Sequence, residues 1–333
     1  MTKKPVLGIM LGDPSGVGPE IIAKLIVNNF LNEVCKPLII GDIRVLNRAF
    51  VTIGAKKDVK VIENFEEVTW ENDIIPILNR NNVNIEEVPY GKQTIIGGAS
   101  CLDMLDIGVK LYQERKIQGF CFGPFNKAGM KEAGCHFESE HHYLAHLLNH
   151  TLPFGEINVC ENVWTTRTTS HIPIAKVSEN LTERSIGRAI ALSNYSLKNA
   201  GIENPRIAIA ALNPHAGEAG TCGREEIDII EPLIKKLRGE GLNVSGPYPS
   251  DILFIKAFAG EFDGVVTMYH DQGQIALKLR GFDQGITIAG GLEPPIVTCG
   301  HGTAYDIAGK NIVKTSAFEN AVKMAVRMAN AKN

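Results

Sequence analysis

The chain has 333 residues, of which 44% are hydrophobic and 21% are charged. This length suits about two globular domains of ~150 residues each, and the composition is that of an ordinary globular protein with a large core. The 34 basic and 37 acidic side chains are interspersed and leave a formal charge of −3, so nothing in the pattern favours nucleic acid or an anionic membrane as a partner.

Short apolar runs alternate with amphipathic stretches along most of the chain. Seven runs are predicted as strands: 6–11, 37–41, 119–123, 157–164, 206–212, 264–269 and 286–289. Five stretches are predicted as helices: 99–115, 181–200, 225–238, 250–262 and 316–330. Apolar strands that alternate with amphipathic helices indicate a mostly parallel sheet covered on both faces. The expected fold class is therefore α/β.

The first apolar run and the cysteines both bear on location. Asp13 and Pro14 follow the run, and no small-residue cleavage site is present, so a buried strand is favoured over a signal peptide. The seven cysteines form no C-x-x-C pair and lie mostly in apolar segments. This usage is typical of reduced thiols, and we expect a cytoplasmic protein.

Three predicted strands are followed by a histidine. The stretches WTTRTTSHIP, IAIAALNPHAGE and GVVTMYHDQG contain His171, His215 and His270. Because ligands bind at the carboxyl ends of parallel strands, we expect the three imidazoles to converge, although each could simply cap the turn that follows it. Three imidazoles with an open position are typical of a catalytic metal site, and nitrogen ligands favour zinc, cobalt, nickel, iron or manganese over magnesium. Asp271 and Asn213 are candidates for orienting the rings.

Two glycine-rich loops also follow predicted strands. In the first, GDPSGVGPEI, the glycines permit a tight turn, and Pro19 and Glu20 suit the first turn of a helix. It is neither a Walker loop nor the G-x-G-x-x-G dinucleotide motif, so it indicates either a ligand close to the backbone or a structural turn. The second loop, HGTAYDIAGKN, begins at His301 and strongly resembles the cofactor loop of the isocitrate and isopropylmalate dehydrogenases.

Six motifs identify the sequence as a member of the 4-hydroxythreonine-4-phosphate dehydrogenase (PdxA) family. They span essentially the full chain in the family's order and read GDPSGVGPEI, GPFNKAG, TTSHIP, NPHAGEAGTCGREE, YHDQGQIALK and HGTAYDIAG. The family is related to the isopropylmalate dehydrogenases, which implies two α/β domains with a mostly parallel sheet and a cleft between them. We therefore expect a cofactor-side domain of residues 1–128 plus 288–333. Residues 129–287 are expected to form the metal, substrate and dimerisation domain.

The resemblance also implies a partner and two cofactors. In the family, the histidines that match His171, His215 and His270 bind a divalent metal across the interface of a homodimer. Zinc is the favoured metal, with cobalt, manganese, nickel or magnesium as alternatives. NAD or NADP is held partly by the second glycine-rich loop, in which the expected cofactor-binding residues are Gly300, His301, Gly302, Thr303, Ala304 and Asp306.

The family's substrate-binding residues are only partly kept. His141 and Lys278 match family positions, whereas His142 replaces a threonine, Thr287 an asparagine and Ile296 an arginine. An arginine fork is the natural partner of a phosphate, and isoleucine cannot replace it. We therefore expect these five positions to line a site with the family's chemistry and an altered substrate. A non-phosphorylated diol or carboxylate, as in the terephthalate dihydrodiol dehydrogenases of the family, is the alternative to the family's own substrate.

The expected reaction is oxidation of a small hydroxy acid by hydride transfer to the nicotinamide, with the metal stabilising the alkoxide. Decarboxylation can follow where the new carbonyl lies β to a carboxylate. Lys278 is expected to orient an anionic group, while Lys127 and Asp271 are candidates for substrate contact or proton transfer. Lys127 is explained equally well as a surface lysine. A binding protein without catalysis and a zinc hydrolase are the two rival classes.

Overall fold

The computed structural model describes residues 4–70, 74–281 and 283–332, and these form an α/β fold, as expected. Its strands are β1 (Val6–Met10), β2 (Lys36–Gly41), β3 (Val59–Ile62), β4 (Ile75–Asn79), β5 (Gly119–Phe122), β6 (Gly155–Cys160), β7 (Val163–Arg167), β8 (Ile207–Ala210), β9 (Val244–Tyr248), β10 (Gly264–Thr267), β11 (Ile286–Gly290) and β12 (Ile296–Cys299). Its α-helices are α1 (Gly18–Val27), α2 (Phe30–Val34), α3 (Ile43–Thr52), α4 (Ile95–Gln113), α5 (Lys127–Glu132), α6 (Glu140–Leu147), α7 (Glu183–Asn199), α8 (Glu231–Gly239), α9 (Ser250–Phe258), α10 (His270–Gly281) and α11 (Ser316–Ala331).

The first of two compact units is formed by Met1–Thr151 and Leu292–Asn333. Its strands have the order β3-β4-β2-β1-β5-β12, and every neighbouring pair is parallel. Strands β1, β2 and β5 are apolar runs that are buried on both faces. That pattern is typical of a parallel sheet covered by helices.

The second unit, Leu152–Gly291, has the strand order β11-β6-β7-β10-β8-β9. Strands β7, β10, β8 and β9 are parallel, whereas β6 runs antiparallel to both β11 and β7. Because β7, β10 and β8 are parallel neighbours, their carboxyl ends lie at one edge of the sheet. The loops that carry the three histidines all start from that edge.

The predicted strand over residues 157–164 is in fact a hairpin of β6 and β7, in which Glu161 and Asn162 form the turn. Glu161 has a left-handed backbone with φ of 53°. No glycine or proline marks this turn in the sequence, so the apolar run reads as continuous. Of the strands that the sequence did not predict, β4 and β9 contain a proline and β12 follows two, a pattern that favours a loop.

Residues 129–151 pack with the first unit, although the sequence assigned them to the second domain. The reason lies in a close contact between α4 and α5, where a Cβ at Gly98 would collide with the carbonyl of Gly129. Two glycines allow the backbones to touch, and this contact ties α5 and the segment after it to α4. The boundaries between the two units therefore follow residues 151 and 291, whereas the sequence predicted boundaries after residues 128 and 287.

Helix α4 is the longest of the helices above, with 19 residues, and it carries Asp103, Asp106 and Lys110. Over residues 4–70, 74–281 and 283–332, no helix combines the length and the apolar character that a bilayer crossing requires.

Candidate active site

The two glycine-rich loops lie against each other in the first unit. The Tyr305 hydroxyl donates a hydrogen bond of 2.5 Å to Asp13 Oδ2, and Val17 N donates one of 3.0 Å to the Thr303 carbonyl. A Cβ at Gly16 would lie 2.9 Å from that same carbonyl oxygen, so glycine allows the close approach. The loop after β1 and the loop after β12 therefore form one continuous surface.

Glu20 anchors the second loop to α1. Its side chain is fully buried, and its carboxylate accepts hydrogen bonds from the backbone N–H groups of Gly309 and Asn311, the latter at 3.0 Å. One turn farther along α1, Lys24 donates a hydrogen bond of 2.8 Å to the carbonyl of Val313. Charge-assisted hydrogen bonds of this kind satisfy a buried carboxylate and fix the loop that supplies the donors.

Asp13 is 1% exposed and also accepts a hydrogen bond of 2.8 Å from Ser15 N. Burial raises the pKa of Asp13 above its ordinary value, and the hydrogen bonds from Tyr305 and Ser15 offset this only in part. The Ser15 hydroxyl is buried and has no hydrogen-bond partner among the described residues. An unpartnered hydroxyl in a glycine-rich turn before a helix fits a phosphate-bearing cofactor.

The cofactor-binding residues predicted from the sequence lie on the second of these loops. Gly300, Gly302 and Asp306 are exposed, and a Cβ at Gly302 would meet nothing within 4 Å. His301 is partly buried, with Nδ1 3.0 Å from the Gly302 carbonyl oxygen. Ala304 has a left-handed backbone, with φ of 46°. The exposed part of the loop is therefore accessible to a ligand, whereas the Thr303 carbonyl is occupied in joining the two loops.

Two of the three predicted metal ligands lie side by side in the second unit. The ring centroids of His171 and His270 are 5.6 Å apart. His270 Nδ1 lies 2.7 Å from Asp271 Oδ1, so the carboxylate orients this ring and leaves Nε2 for a ligand.

His215 lies in a turn of unusual backbone geometry. Residues 215–219 all have left-handed conformations, with φ between 44° and 81°. Such a conformation costs roughly 1–2 kcal/mol for a residue other than glycine, so the turn needs support. The buried carboxylate of Glu226 provides it by accepting hydrogen bonds of 2.8 Å from Leu212 N and Asn213 N. The Asn213 amide also bonds to Glu226 and so does not orient His215, contrary to the prediction.

The three histidines do not meet in one chain. His215 has a side chain that is 73% exposed, and no group of three His, Cys, Asp or Glu side chains in the described ranges is close enough to hold a metal. The structure therefore brings together His171 and His270. It leaves His215 exposed in a loop that starts from the same edge of the sheet.

Three other predicted residues lie on two short helices: Lys127 on α5, and His141 and His142 on α6. Lys127 Nζ is 3.6 Å from Glu140 Oε2. His141 is 6% exposed, and its Nε2 has no hydrogen-bond partner among the described residues. His142 is exposed and has Nδ1 2.9 Å from Ser139 Oγ. Of these residues, His141 has the unsatisfied polar atom that points to a ligand.

The remaining predicted substrate residues differ in accessibility. Lys278 is exposed on α10. Ile296 is fully buried as the first residue of β12, so its side chain has no surface to offer a substrate. Thr287 is 7% exposed, and its Oγ1 accepts a hydrogen bond of 3.1 Å from Asn158 Nδ2. The expectation that Thr287 and Ile296 contact the substrate therefore does not fit this structure.

A polar network that was not predicted from the sequence surrounds Asn158. Arg167 Nη2 donates a hydrogen bond of 2.6 Å to Asn158 Oδ1, and Gln274 Nε2 donates one of 2.5 Å to the same oxygen. The side chain of Arg167 is 9% exposed, and its Nη2 lies 3.4 Å from Glu156 Oε2. An arginine four residues before His171 in TTRTTSH was the signal that could have pointed to this network.

Comparison with known proteins identifies the family. A family model described as pyridoxal phosphate biosynthetic protein PdxA matches residues 33–325. A 4-hydroxythreonine-4-phosphate dehydrogenase of Desulforapulum autotrophicum is 37% identical over 327 residues, which cover 98% of this chain and 96% of that protein. A D-threonate 4-phosphate dehydrogenase of Cupriavidus necator is 33% identical over 329 residues, with 98% of each chain covered.

Solved structures agree with this result. The crystal structure of a 4-hydroxythreonine-4-phosphate dehydrogenase from Klebsiella pneumoniae has a TM-score of 0.86 and 29% identity, with 98% of each chain covered. The family predicted from the six motifs is thus confirmed. The chain belongs to the PdxA family of dehydrogenases, whose chemistry implies a nicotinamide cofactor.

Proposed function

We propose that the chain oxidises the C3 hydroxyl of a four-carbon acid phosphorylated at C4, with NAD or NADP as the hydride acceptor. The observation that carries the proposal is full-length similarity to two dehydrogenases named for such acids. The two named acids differ at C2, which bears an ammonium group in one and a hydroxyl in the other. The free hydroxyl that they share is at C3. Both names include a phosphate, which supports a phosphorylated substrate over the non-phosphorylated alternative.

Oxidation at C3 has a chemical consequence for the product. The hydroxyl loses its proton, and C3 loses a hydride to the nicotinamide. The carbonyl formed lies β to the C1 carboxylate. Carbon dioxide can then leave, with the electron pair of the C1–C2 bond taken up by the carbonyl as an enolate. We therefore propose decarboxylation as the second step of the reaction.

The joined glycine-rich loops are the proposed cofactor site. The backbone of the first loop and the Ser15 hydroxyl would hold the phosphates. The exposed residues of the second loop, above all Gly302 and Asp306, would contact the rest of the nucleotide. The hydrogen bond between Asp13 and Tyr305 keeps the two loops in register.

A divalent metal, with zinc favoured, is part of the proposal, and His171, His215 and His270 would hold it. The paired rings of His171 and His270 and the orienting carboxylate of Asp271 support this assignment. Since His215 lies apart from the pair within one chain, a second copy of the chain would complete the set. A bound metal would lower the pKa of the substrate hydroxyl and polarise the carbonyl formed from it.

Three further side chains have proposed roles in substrate binding. His141 offers an unpartnered Nε2 from a buried position. Lys127 Nζ lies 3.6 Å from Glu140 Oε2, and its side chain would contact an anionic group of the substrate. Lys278 is exposed and would orient the carboxylate.

The exposed face of α9 and α10 is the proposed dimer surface. The helices are neighbours, because the guanidinium of Arg280 lies 5.2 Å from the ring centroid of Phe258. Four aliphatic side chains on them are 49–84% exposed: Ile252, Ile255, Ile275 and Leu279. Helix α10 begins at His270, so a second copy bound to this face would lie beside the histidine pair. The incomplete histidine set and the apolar face thus support the same partner.

The cysteines support the proposed cytoplasmic location. All seven thiols are free, and six of them are buried. Reducing compartments keep thiols unpaired.

Calorimetric titration with NAD and NADP tests the proposed function against its rivals. We expect one of the two nucleotides to bind and Gly16→Ala to weaken that binding, since the new Cβ would push against the Thr303 carbonyl. Gly239→Ala is the matched control, because a Cβ there meets nothing within 4 Å. Failure of the wild-type protein to bind either nucleotide would favour a metal hydrolase or a binding protein.

A further inference from the structure

A cavity of about 420 Å³ lies in the second unit, beside the edge of the sheet at which β7 ends. Its walls come from the start of β6, the end of β7 with the residues after it, and the first half of α7. The volume is within the ~300–1,000 Å³ that small-molecule sites occupy. Three arginines line it: Arg167, Arg184 and Arg188. Among its described lining residues Glu156 is the one carboxylate, which leaves a formal excess of two positive charges.

The arginines are available to a ligand. Arg184 and Arg188 lie one turn apart on α7, and neither forms an ion pair with a described residue. Like charges at this helical spacing repel each other, and an anion between them relieves the repulsion. Arg167 uses Nη2 both to bond Asn158 and to pair with Glu156 Oε2 at 3.4 Å, whereas its Nε and Nη1 make no hydrogen bond within the described part of the chain. A nearly buried guanidinium thus keeps part of its donor set free.

Arg167 is also held in place by the strand that carries Thr287. Asn158 accepts the hydrogen bond from Arg167 through its Oδ1 and donates one to Thr287 through its Nδ2. Thr287 occupies the position at which the family was expected to have an asparagine. In this chain, Thr287 supports Arg167 of the cavity through the side chain of Asn158.

The cavity adjoins the histidine pair through the chain itself. Thr168 and Ser170 line it, and Ser170 directly precedes His171. Neighbouring Cα atoms are about 3.8 Å apart, so a ligand in the cavity lies within a few ångströms of the backbone that carries the imidazole. In the proposed substrate, three bonds separate C3 from the phosphorus atom. This short spacing suits a phosphate in the cavity and a C3 hydroxyl beside the histidine pair.

We propose that this cavity is the phosphate subsite, in which Arg167, Arg184 and Arg188 bind the phosphate of the substrate. The assignment rests on the proposed function. A phosphate monoester carries roughly −1.5 to −2 charges at neutral pH, which matches the charge excess of the lining. Arginine forks bind phosphate oxygens in pairs. Ile296 stands where an arginine was expected from the family, and the arginines of the cavity would bind the phosphate in its place.

Kinetics of Arg184→Ala and Arg188→Ala test the assignment. Both side chains are exposed, so the fold should tolerate their loss. Each change should raise the KM for D-threonate 4-phosphate about tenfold and leave kcat within about twofold, since a lost charged hydrogen bond costs one to two decades in affinity. Arg238→Ala, which removes an exposed arginine on α8, is the matched control and should change neither constant.

Binding of inorganic phosphate separates this inference from the proposed function. In calorimetry the wild-type protein should bind phosphate, and each alanine variant should bind it about tenfold more weakly. If both KM and phosphate affinity stay unchanged in the two variants, the subsite is overturned while the dehydrogenase stands. If no phosphorylated acid is oxidised but phosphate binding still depends on Arg184 and Arg188, the anion site stands and the proposed function is overturned.

Discussion

The hydroxyl of Tyr305 donates a hydrogen bond of 2.5 Å to the carboxylate of Asp13, 292 positions earlier in the chain. Strands β1 and β12 both pair with β5, so the loops after them emerge close together. Two glycine-rich motifs from opposite ends of the sequence therefore form one surface.

Replacing Tyr305 with phenylalanine removes a hydrogen bond to a buried carboxylate. The free energy of unfolding should fall by about 1–3 kcal/mol, and the KM for the nicotinamide cofactor should rise because the loops lose their register. Denaturant unfolding and steady-state kinetics measure the two effects. Tyr195→Phe is the control, since Tyr195 is 43% exposed and bonds to no described residue. If the two variants have the same free energy of unfolding and the same KM for the cofactor, the Tyr305 hydrogen bond does not hold the loops together.

The raised pKa of Asp13 predicts a pH dependence of stability. The folded protein keeps this proton to a higher pH than the unfolded chain, whose aspartates have a pKa of about 3.9. The contribution of Asp13 is therefore greatest at low pH and falls as the pH rises through the folded pKa. Unfolding of wild type and Asp13→Asn at about pH 4 and about pH 8 should show the variant gaining relative stability at the higher pH. Asp58→Asn, at an exposed position, is the control.

Much of the fold could be predicted because many of the strands, such as β1, β2 and β5, are continuous apolar runs. The hairpin turn at Glu161 was missed because the left-handed residue there is not a glycine. Strand β9 was missed because Pro247 lies in it, at the edge of the sheet.

The candidate site could be predicted only in part. Three predicted strands that are each followed by a histidine led to the metal-site prediction, but the sequence does not show that His215 lies exposed in a left-handed segment. The arginine cavity was missed for another reason. Arg167 and Arg188 belong to different elements, and their convergence depends on how α7 packs on the sheet.

Alanine in place of His171, His215 or His270, the proposed metal ligands, should remove the proposed metal ion from the purified protein and leave the fold intact. Elemental analysis measures the metal, and His146→Ala, in α6, is the control. If the ligands come from two chains, mixing His215→Ala with His270→Ala should restore partial activity, because one site in each mixed dimer keeps all its ligands. Full metal occupancy in all three single variants would reject the assignment.

Charges on the apolar face of α10 should separate the proposed dimer. Light scattering of Ile275→Asp/Leu279→Asp should give about half the wild-type mass. The variant should also lose metal, because the second chain no longer completes the site. Val51→Asp is the matched control, as Val51 is 81% exposed on α3 in the first unit. A double variant that keeps both the wild-type mass and the metal would show that the chains associate elsewhere.

Reduction of NAD or NADP by the metal-loaded protein tests the central claim most directly. D-threonate 4-phosphate and 4-hydroxythreonine 4-phosphate are compared with the same acids without phosphate. We predict a kcat/KM of about 10⁴ M⁻¹s⁻¹ or more for at least one phosphorylated acid, and a value at least about 100-fold lower for its non-phosphorylated form. The claim that the chain oxidises a phosphorylated four-carbon acid would be contradicted in two cases. One is the absence of nicotinamide reduction with both phosphorylated acids, and the other is an equal rate with and without the phosphate.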